Sequence, residues 1–304
     1  MSTLTRPQSG PGLPVDLTGG RSTGRGARNI LATVIIVCCF LLALVPLVWI
    51  LWTVVSKGYS QLIDASWWNE SQRGITTRNA GGGAYHAIVG SLITALCCAV
   101  ISVPIGVMGA VYLVEYGGRG PIARAVSFMV DILTGVPSIV AALFVYALWV
   151  TLLGFERVGF AVALSLVLLM VPTVLRLTEE VLRLVPNELR EASFALGIPR
   201  WKTILRIVVP TAFSGIVTGV MLGLARIMGE TAPLLILGPY TKGINLNPFS
   251  GNMAALPTMI NQDRTESLQP AVDRTWAAAL TLVLLVLLLN LIARAIARFS
   301  AVRK

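Results

Sequence analysis

The sequence predicts an all-α integral membrane protein of six transmembrane helices, with the N-terminus and the C-terminus in the cytoplasm. Three observations carry this. Hydrophobic residues fill 55% of the 304 positions and charged residues only 12%, against about 25% charged in a soluble domain; the mean hydropathy is +0.78. Six apolar segments are long enough to cross a bilayer, which takes about 20 helical residues. Lysine and arginine are distributed unequally between the segments that join them.

Taken in order, residues 1–28 are rich in Gly, Pro, Ser and Thr and read as a disordered cytoplasmic tail. Residues 29–83 hold the first span, about 30–55, and an extracytoplasmic loop. That span is too long for a cleaved signal segment and lacks a small-residue cleavage site, so it stays as an anchor. Residues 84–304 hold the other five spans, at about 84–114, 125–153, 158–175, 207–237 and 275–293. The loops at 56–83 and 238–274 are long enough to cap the outer mouth or to dock a partner, and Trp67 and Trp68 equally suit interfacial anchoring.

With the N-terminus inside, the inner segments hold sixteen basic residues: Arg6, Arg21, Arg25, Arg28, Arg119, Arg124, Arg176, Arg183, Arg190, Arg200, Lys202, Arg206, Arg294, Arg298, Arg303 and Lys304. The outer segments hold seven, namely Lys57, Arg73, Arg78, Arg157, Lys242, Arg264 and Arg274. The positive-inside bias therefore puts both termini and the 186–210 connection in the cytoplasm. The net charge of +10 is explained by topology, since the basic residues sit beside apolar runs and form no nucleic-acid groove.

Other chemistries find little support. Cys38, Cys39, Cys97 and Cys98 lie as adjacent pairs inside apolar runs, with neither disulfide nor metal spacing. His86 is the lone histidine and has no acidic cluster to join, so no metal or other cofactor is expected. Without a P-loop the chain does not bind and hydrolyse ATP in the usual way. Asp131, in the inner part of the third span, reads as reaching water sooner than as lining the lower pathway. Prolines 46, 104, 137 and 172 within spans read as passive bends.

The connection at 188–210, Glu-Leu-Arg-Glu-Ala-Ser-Phe-Ala-Leu-Gly-Ile-Pro-Arg-Trp-Lys-Thr-Ile-Leu-Arg-Ile-Val-Val-Pro, is more elaborate than a plain loop requires. Asn187 suits a helix cap, and Glu188, Glu191, Ala192 and Ala195 at i, i+3, i+4 and i+7 share one face. Gly197 suits a helix end and Pro199 the start of a second short helix, before a span opens at Pro210. Helix, sharp turn and second helix are expected along the cytoplasmic surface. An amphipathic interfacial helix is the plain alternative.

Glu191, Ala192 and Ser193, with Gly197 four residues after Ser193 and Ile207, Val209 and Pro210 beyond, resemble the EAA loop of ABC importer permeases: Glu-Ala-Ala-x-x-x-Gly, then Ile-x-Leu-Pro. Ser193 and Val209 are the two departures, both conservative in size. The resemblance implies a type I importer permease fold and a non-catalytic membrane subunit. It assigns Glu188, Glu191, Ala192 and Gly197 to coupling with a cytoplasmic ATPase.

In the fifth span, Arg226 and Glu230 are spaced as a helical turn near mid-membrane, where one charge costs roughly 2.5 to 3.5 kcal/mol to insert. A function is the default reading, and the plain alternative is a neutralising pair that orders the bundle. As a functional site, the Arg226 guanidinium offers planar donors to a crossing oxyanion, restrained by Glu230. The run Ala-Arg-x-x-Gly-Glu-Thr-Ala-Pro-Leu and the Gly135-Val-Pro-Ser-Ile-Val element also resemble the membrane subunits of bacterial Pst phosphate importers, especially the A-type. That resemblance implies a substrate pathway at Arg226, Glu230 and Thr231 in the bacterial inner membrane. It implies as partners a second related permease, two ATPase subunits and an extracytoplasmic phosphate-binding protein, with lipid around them and no nucleic acid.

Two other classes stay open at this point, besides import of sulfate, molybdate or phosphonate. A proton-coupled secondary transporter accounts for Arg226 and Glu230 and leaves the 188–210 insert unexplained. An intramembrane serine hydrolase has only Ser138 and His86 to offer.

Overall fold

The computed structural model describes residues 23–118 and 120–302, and every regular element among them is helical. By chain contacts the protein divides into residues 1–53 and 54–304. The described part of the first unit belongs to α1 (Thr23–Leu62), which continues through Pro46. Its stretch from Ile30 to Trp52 is almost wholly apolar and, apart from half-buried Leu44, exposed, as befits a helix whose solvent is lipid. Helix begins at Thr23, so residues 23–28 of the expected tail are helical; residues 1–22 lie outside the described residues.

In the second unit, α2 (Ala65–Asn69) precedes α3 (Tyr85–Val111), which widens into a π-helical turn at Tyr112–Tyr116. Next come α4 (Pro121–Gly135), α5 (Ser138–Val145) with a π continuation at Tyr146–Leu152, and α6 (Gly159–Arg183). The third expected span is thus two helices meeting at 106°. Proline disfavours helical backbone in the residue before it, and Val136 and Pro137 are both extended (ψ 126° and 140°). The Gly135-Val-Pro-Ser element is the elbow, whereas α1, α3 and α6 run through their prolines unbroken.

Then follow α7 (Asn187–Ala195), α8 (Arg200–Thr203), a π turn at Ile204–Val208, α9 (Val209–Met228) and α10 (Ala232–Leu237). Helices α11 (Leu256–Asp263) and α12 (Gln269–Val302) complete the chain. Among the described residues five helices are long and apolar enough to cross a membrane, or six where the bent pair counts as one span. This is a multi-pass membrane protein. Helix α6, with 25 residues, is longer than its apolar run at 158–175, because Arg176, Glu179 and Arg183 continue it in mutual ion pairs.

The core forms where α3, α6 and α9 meet. Along α9, Gly215, Gly219 and Gly223 recur every fourth residue and press against Val181, Leu177 and Val174 of α6; an added Cβ would fall 2.5, 2.9 and 3.4 Å from those side chains. Such small-residue stripes let backbones approach where no hydrophobic force separates protein from lipid. Gly106 and Gly109 of α3 admit Val174 and Leu175 of α6 in the same way.

At the far end, α2, α11 and the start of α12 fold into a separate apolar cluster around Trp67, Leu256 and Met259. Trp67 is fully buried and its Nε1 donates to Thr281 Oγ1 at 2.9 Å, so it is a core residue and not an interfacial anchor. Trp68 is exposed and donates to the Leu62 carbonyl. A polar chain stitches the two long loops together. Tyr240 donates to Gln72 Oε1 (2.9 Å), Gln72 Nε2 to Asp263 Oδ2 (3.2 Å), and Asp263 pairs with Arg274 at 3.5 Å, both side chains 3% exposed. His86 Nε2 lies 3.3 Å from the Tyr240 hydroxyl, Arg274 Nη1 donates to Asn79 O, and Lys242 donates to Ile75 O. Burial, with Asp263 nearby, raises the Tyr240 phenol pKa above its ordinary value.

Candidate functional site: a two-sided surface helix and a charged helix end

Helix α7 opens at Pro186 with extended backbone and no side-chain cap, and Asn187 is its first helical residue. The expected cap is absent because Asn187 Oδ1 accepts from Arg190 Nη1 at 3.1 Å instead. At the other end Gly197 has φ +73°, the left-handed conformation that glycine alone adopts cheaply. Its N–H donates to Phe194 O (2.9 Å) and that of Ile198 to Ser193 O (3.2 Å), the double bond pattern that closes a helix C-terminus.

The second helix of the insert is not a separate surface helix. Residues 200–228 form one helical segment in which α8 passes through the Ile204–Val208 π turn into α9. Pro210 would clash with the carbonyl four residues back in a regular α-helix; the wider π turn relieves that, and the chain continues instead of breaking. Ser193, the departure from the EAA pattern, is 2% exposed, and its Oγ lies 2.7 Å from Thr203 Oγ1. It fastens α7 to the foot of α9.

Glu188, Glu191, Ala192, Ala195 and Gly197 are all exposed. Large apolar side chains flank them in the open: Leu184 at 81% exposure, Leu196 at 79%, Trp201 at 59%, and Phe194 and Leu189 at somewhat less. The opposite side of α7 is fixed to the protein. The Arg190 guanidinium donates to Glu115 Oε1 (2.8 and 3.1 Å), to Val185 O (2.7 Å) and to Leu182 O (3.0 Å). Neither Arg190 nor Glu115 stands out in sequence, because Glu115 lies 75 residues away at the end of an apolar run.

The second group of residues lies where α9 stops. Arg226 is in the last turn, where a cation complements the helix dipole. Gly229 closes the helix, and Glu230 and Thr231 occupy the break before α10, whose second residue is Pro233. Arg226 and Glu230 therefore do not sit a turn apart on one helix, and neither side chain takes part in an ion pair or hydrogen bond among the described residues. Arg226 is exposed, Glu230 and Thr231 half-buried. Sequence reading missed the company Arg226 keeps. Thr211, Ser214, Thr218, Leu222 and Arg226 form one exposed stripe along α9, while Ala212, Ile216, Gly219, Gly223 and Ile227 are buried.

Asp131 does more than reach water. It pairs with Arg176, whose guanidinium also donates to Ser127 Oγ (2.9 Å) and Glu179 Oε2 (2.7 Å), tying α4 to α6 below the elbow.

A family model described as binding-protein-dependent transport system inner membrane component matches residues 102–303. The chain is similar to phosphate transport system permease protein PstA 1 of Mycobacterium tuberculosis, 52% identical over 280 residues (92% of this chain, 90% of that protein). PstA of Mycobacterium leprae is 53% identical over 283 residues (93% and 92%), and PstA of Yersinia pestis 39% over 272 residues (90% and 90%). Among solved structures, a chain of the MetNI methionine ABC transporter in an inward-facing conformation superposes with a TM-score of 0.55 at 22% identity, covering 72% of this chain and 94% of that one. A chain of a bacterial alginate ABC transporter, crystallised with its alginate pentasaccharide-bound periplasmic protein, gives 0.62 at 15% identity (92% and 98%). Both share the fold. With a family match over residues 102–303 and relatives 39–53% identical over at least 90% of its length, the chain belongs to the inner membrane components of binding-protein-dependent transport systems.

Proposed function

We propose that the chain is the membrane-spanning permease subunit of an ATP-driven importer of inorganic phosphate in a bacterial inner membrane, with both termini and α7 in the cytoplasm. The observation that carries the reading is the two-sided character of α7. One side offers carboxylates, small residues and large apolar side chains to the outside; the other is locked to the bundle. A helix that merely floated on the surface would not need four hydrogen bonds to the π turn after α3 and to the end of α6 and the residues just past it. A cytoplasmic ATPase, in two copies, takes the outward side at Glu188, Glu191, Ala192 and Gly197. Hydrolysis belongs to that partner, and this subunit is not itself catalytic.

The substrate assignment is supported by Arg226 and by the relatives named as phosphate permeases at 52% and 53% identity. A second, related permease faces the exposed stripe of α9 across the pathway that Arg226 lines, and an extracytoplasmic phosphate-binding protein delivers the anion to the outer loops. An unpaired guanidinium presents planar donors that a phosphate oxygen pair accepts. Glu230 and Thr231, in the adjoining break, keep the anion from being held too tightly to leave.

The test is ATP-dependent uptake of labelled phosphate into proteoliposomes holding the co-expressed complex, with sulfate and molybdate as competitors. Arg226→Gln is expected to abolish uptake with assembly intact, because Arg226 makes no side-chain contact that the fold depends on. Unchanged uptake in that variant refutes the pathway role. Preferential import of sulfate or molybdate refutes the substrate.

A further inference from the structure

A docking helix transmits movement only if something stiff joins it to the transmembrane bundle, and the inward side of α7 holds one such joint. Arg190 spends a single guanidinium on three elements. Nε and Nη2 converge on Glu115 Oε1 at 3.1 and 2.8 Å, at the π turn that ends α3. Nη2 also reaches Leu182 O at 3.0 Å in the last turn of α6, and Nη1 reaches Val185 O at 2.7 Å just beyond it. Both carbonyls lie at or just past the C-terminal end of α6, where backbone acceptors are incompletely satisfied within the helix; that of Leu182 also accepts from Val185 N–H at 3.3 Å. The Arg190 and Glu115 side chains are only 13% and 6% exposed, so the charges face one another in a medium that screens them less than water does.

A second fastener acts on the same turn. Arg200, at the start of α8, donates through Nη2 to the Glu115 carbonyl and lies over the Tyr116 ring at 5.3 Å from its centre. Both halves of the insert therefore converge on residues 115 and 116. Helix α7 cannot shift or tilt without drawing on the end of α3, and α3 is packed through Gly106 and Gly109 on α6.

We propose that Arg190 is the positioning residue that carries displacement of α7 into α3 and α6, with Glu115 as its receiving end; this rests on the permease reading above. Arginine suits the task because its planar fork fixes direction as well as distance, whereas lysine is a swivelling point charge. The two residues stand at a hinge between energy supply and pathway, touching neither ATP nor substrate.

The experiment uses the co-expressed complex of both permeases and the ATPase in proteoliposomes, with the phosphate-binding protein inside the assay. Three quantities are measured: ATPase subunit retained on the purified permease, ATP hydrolysed, and labelled phosphate taken up per ATP. Arg190→Gln and Glu115→Gln are both expected to retain the ATPase and its hydrolysis, while uptake per ATP falls roughly tenfold. Arg190→Lys should recover part of the loss, since it restores the charge and a donor to Glu115. Uptake per ATP unchanged in both glutamine variants overturns the proposal and leaves the permease reading standing. So does loss of retained ATPase in both variants with an unaltered ratio, which marks a purely structural bond. Failure of the unsubstituted complex to retain any ATPase overturns the permease reading and the proposal together.

Discussion

Ser193 and Thr203 face each other at 2.7 Å, Oγ to Oγ1, across the turn that joins α7 to the foot of α9. The pair closes the insert into one rigid corner, with Gly197 at its apex.

Replacing Ser193 by alanine removes a buried hydrogen bond between neutral groups, which is worth about 1 kcal/mol. Thr203 keeps a longer contact to the Pro199 carbonyl at 3.4 Å. Ser193→Ala is expected to quicken amide hydrogen exchange across residues 187–204 while leaving phosphate uptake intact. Alanine also restores the residue of the pattern that the loop resembles, so abolished uptake would contradict this role for the pair.

The close approach of α9 to α6 has a sharper tolerance. A Cβ at residue 219 would stand 2.9 Å from Leu177 Cβ, so Gly219→Val forces two helices apart at mid-contact. Overpacking of this kind typically costs about 1–3 kcal/mol. A lowered midpoint in detergent thermal unfolding, larger than for Val at the exposed Thr218, would be the measured sign.

The buried pair of Asp263 and Arg274 holds the end of α11 against α12. Its 3.5 Å separation makes it an ion pair and not a hydrogen bond. Asp263→Asn leaves a guanidinium buried without a counter-charge, a loss of about 3–5 kcal/mol, while its amide oxygen can still accept from Gln72. Limited proteolysis should then cut between residues 238 and 274, where the parent protein resists.

Tyr240 provides a pH signature. Its folded pKa lies above the ordinary 10.0 because burial and Asp263 disfavour the phenolate. The neutral phenol thus contributes stability that is fully present below pH 10 and is lost as pH rises through the folded value. The stability gap between the parent protein and Tyr240→Phe is expected to be constant from pH 7 to pH 9 and to shrink above pH 10. A gap that widened at alkaline pH would reverse the sign and discard this account.

How much was legible in advance follows the range of the interactions. The spans were legible because apolar length is a local property, and so was the EAA-like insert, whose spacing is written within 23 consecutive residues. The elbow at Val136 and Pro137 was missed because a proline in a span reads the same whether the helix continues, as at Pro104, or breaks. What differs is whether neighbours satisfy the freed carbonyls, and that is decided by packing. The continuous 200–228 segment was missed for a related reason, since a π turn leaves no mark on hydrophobic periodicity. Trp67 looked like an interfacial ring until Thr281, 214 residues away, supplied its partner.

By itself the sequence determined that this chain lives in a membrane, roughly where its long apolar segments lie, and that Glu188 and Glu191 share one face of a helix. Those follow from composition and from periods of a few residues, over which one helix dictates its own faces. Tertiary structure decided what holds that helix and what Arg226 stands beside. Glu115 meets Arg190 only because α3 and α6 end at the same level, and Arg226 stands apart from Glu230 only because α9 stops at Met228. Such pairings depend on where separate helices end in space, which no local pattern encodes.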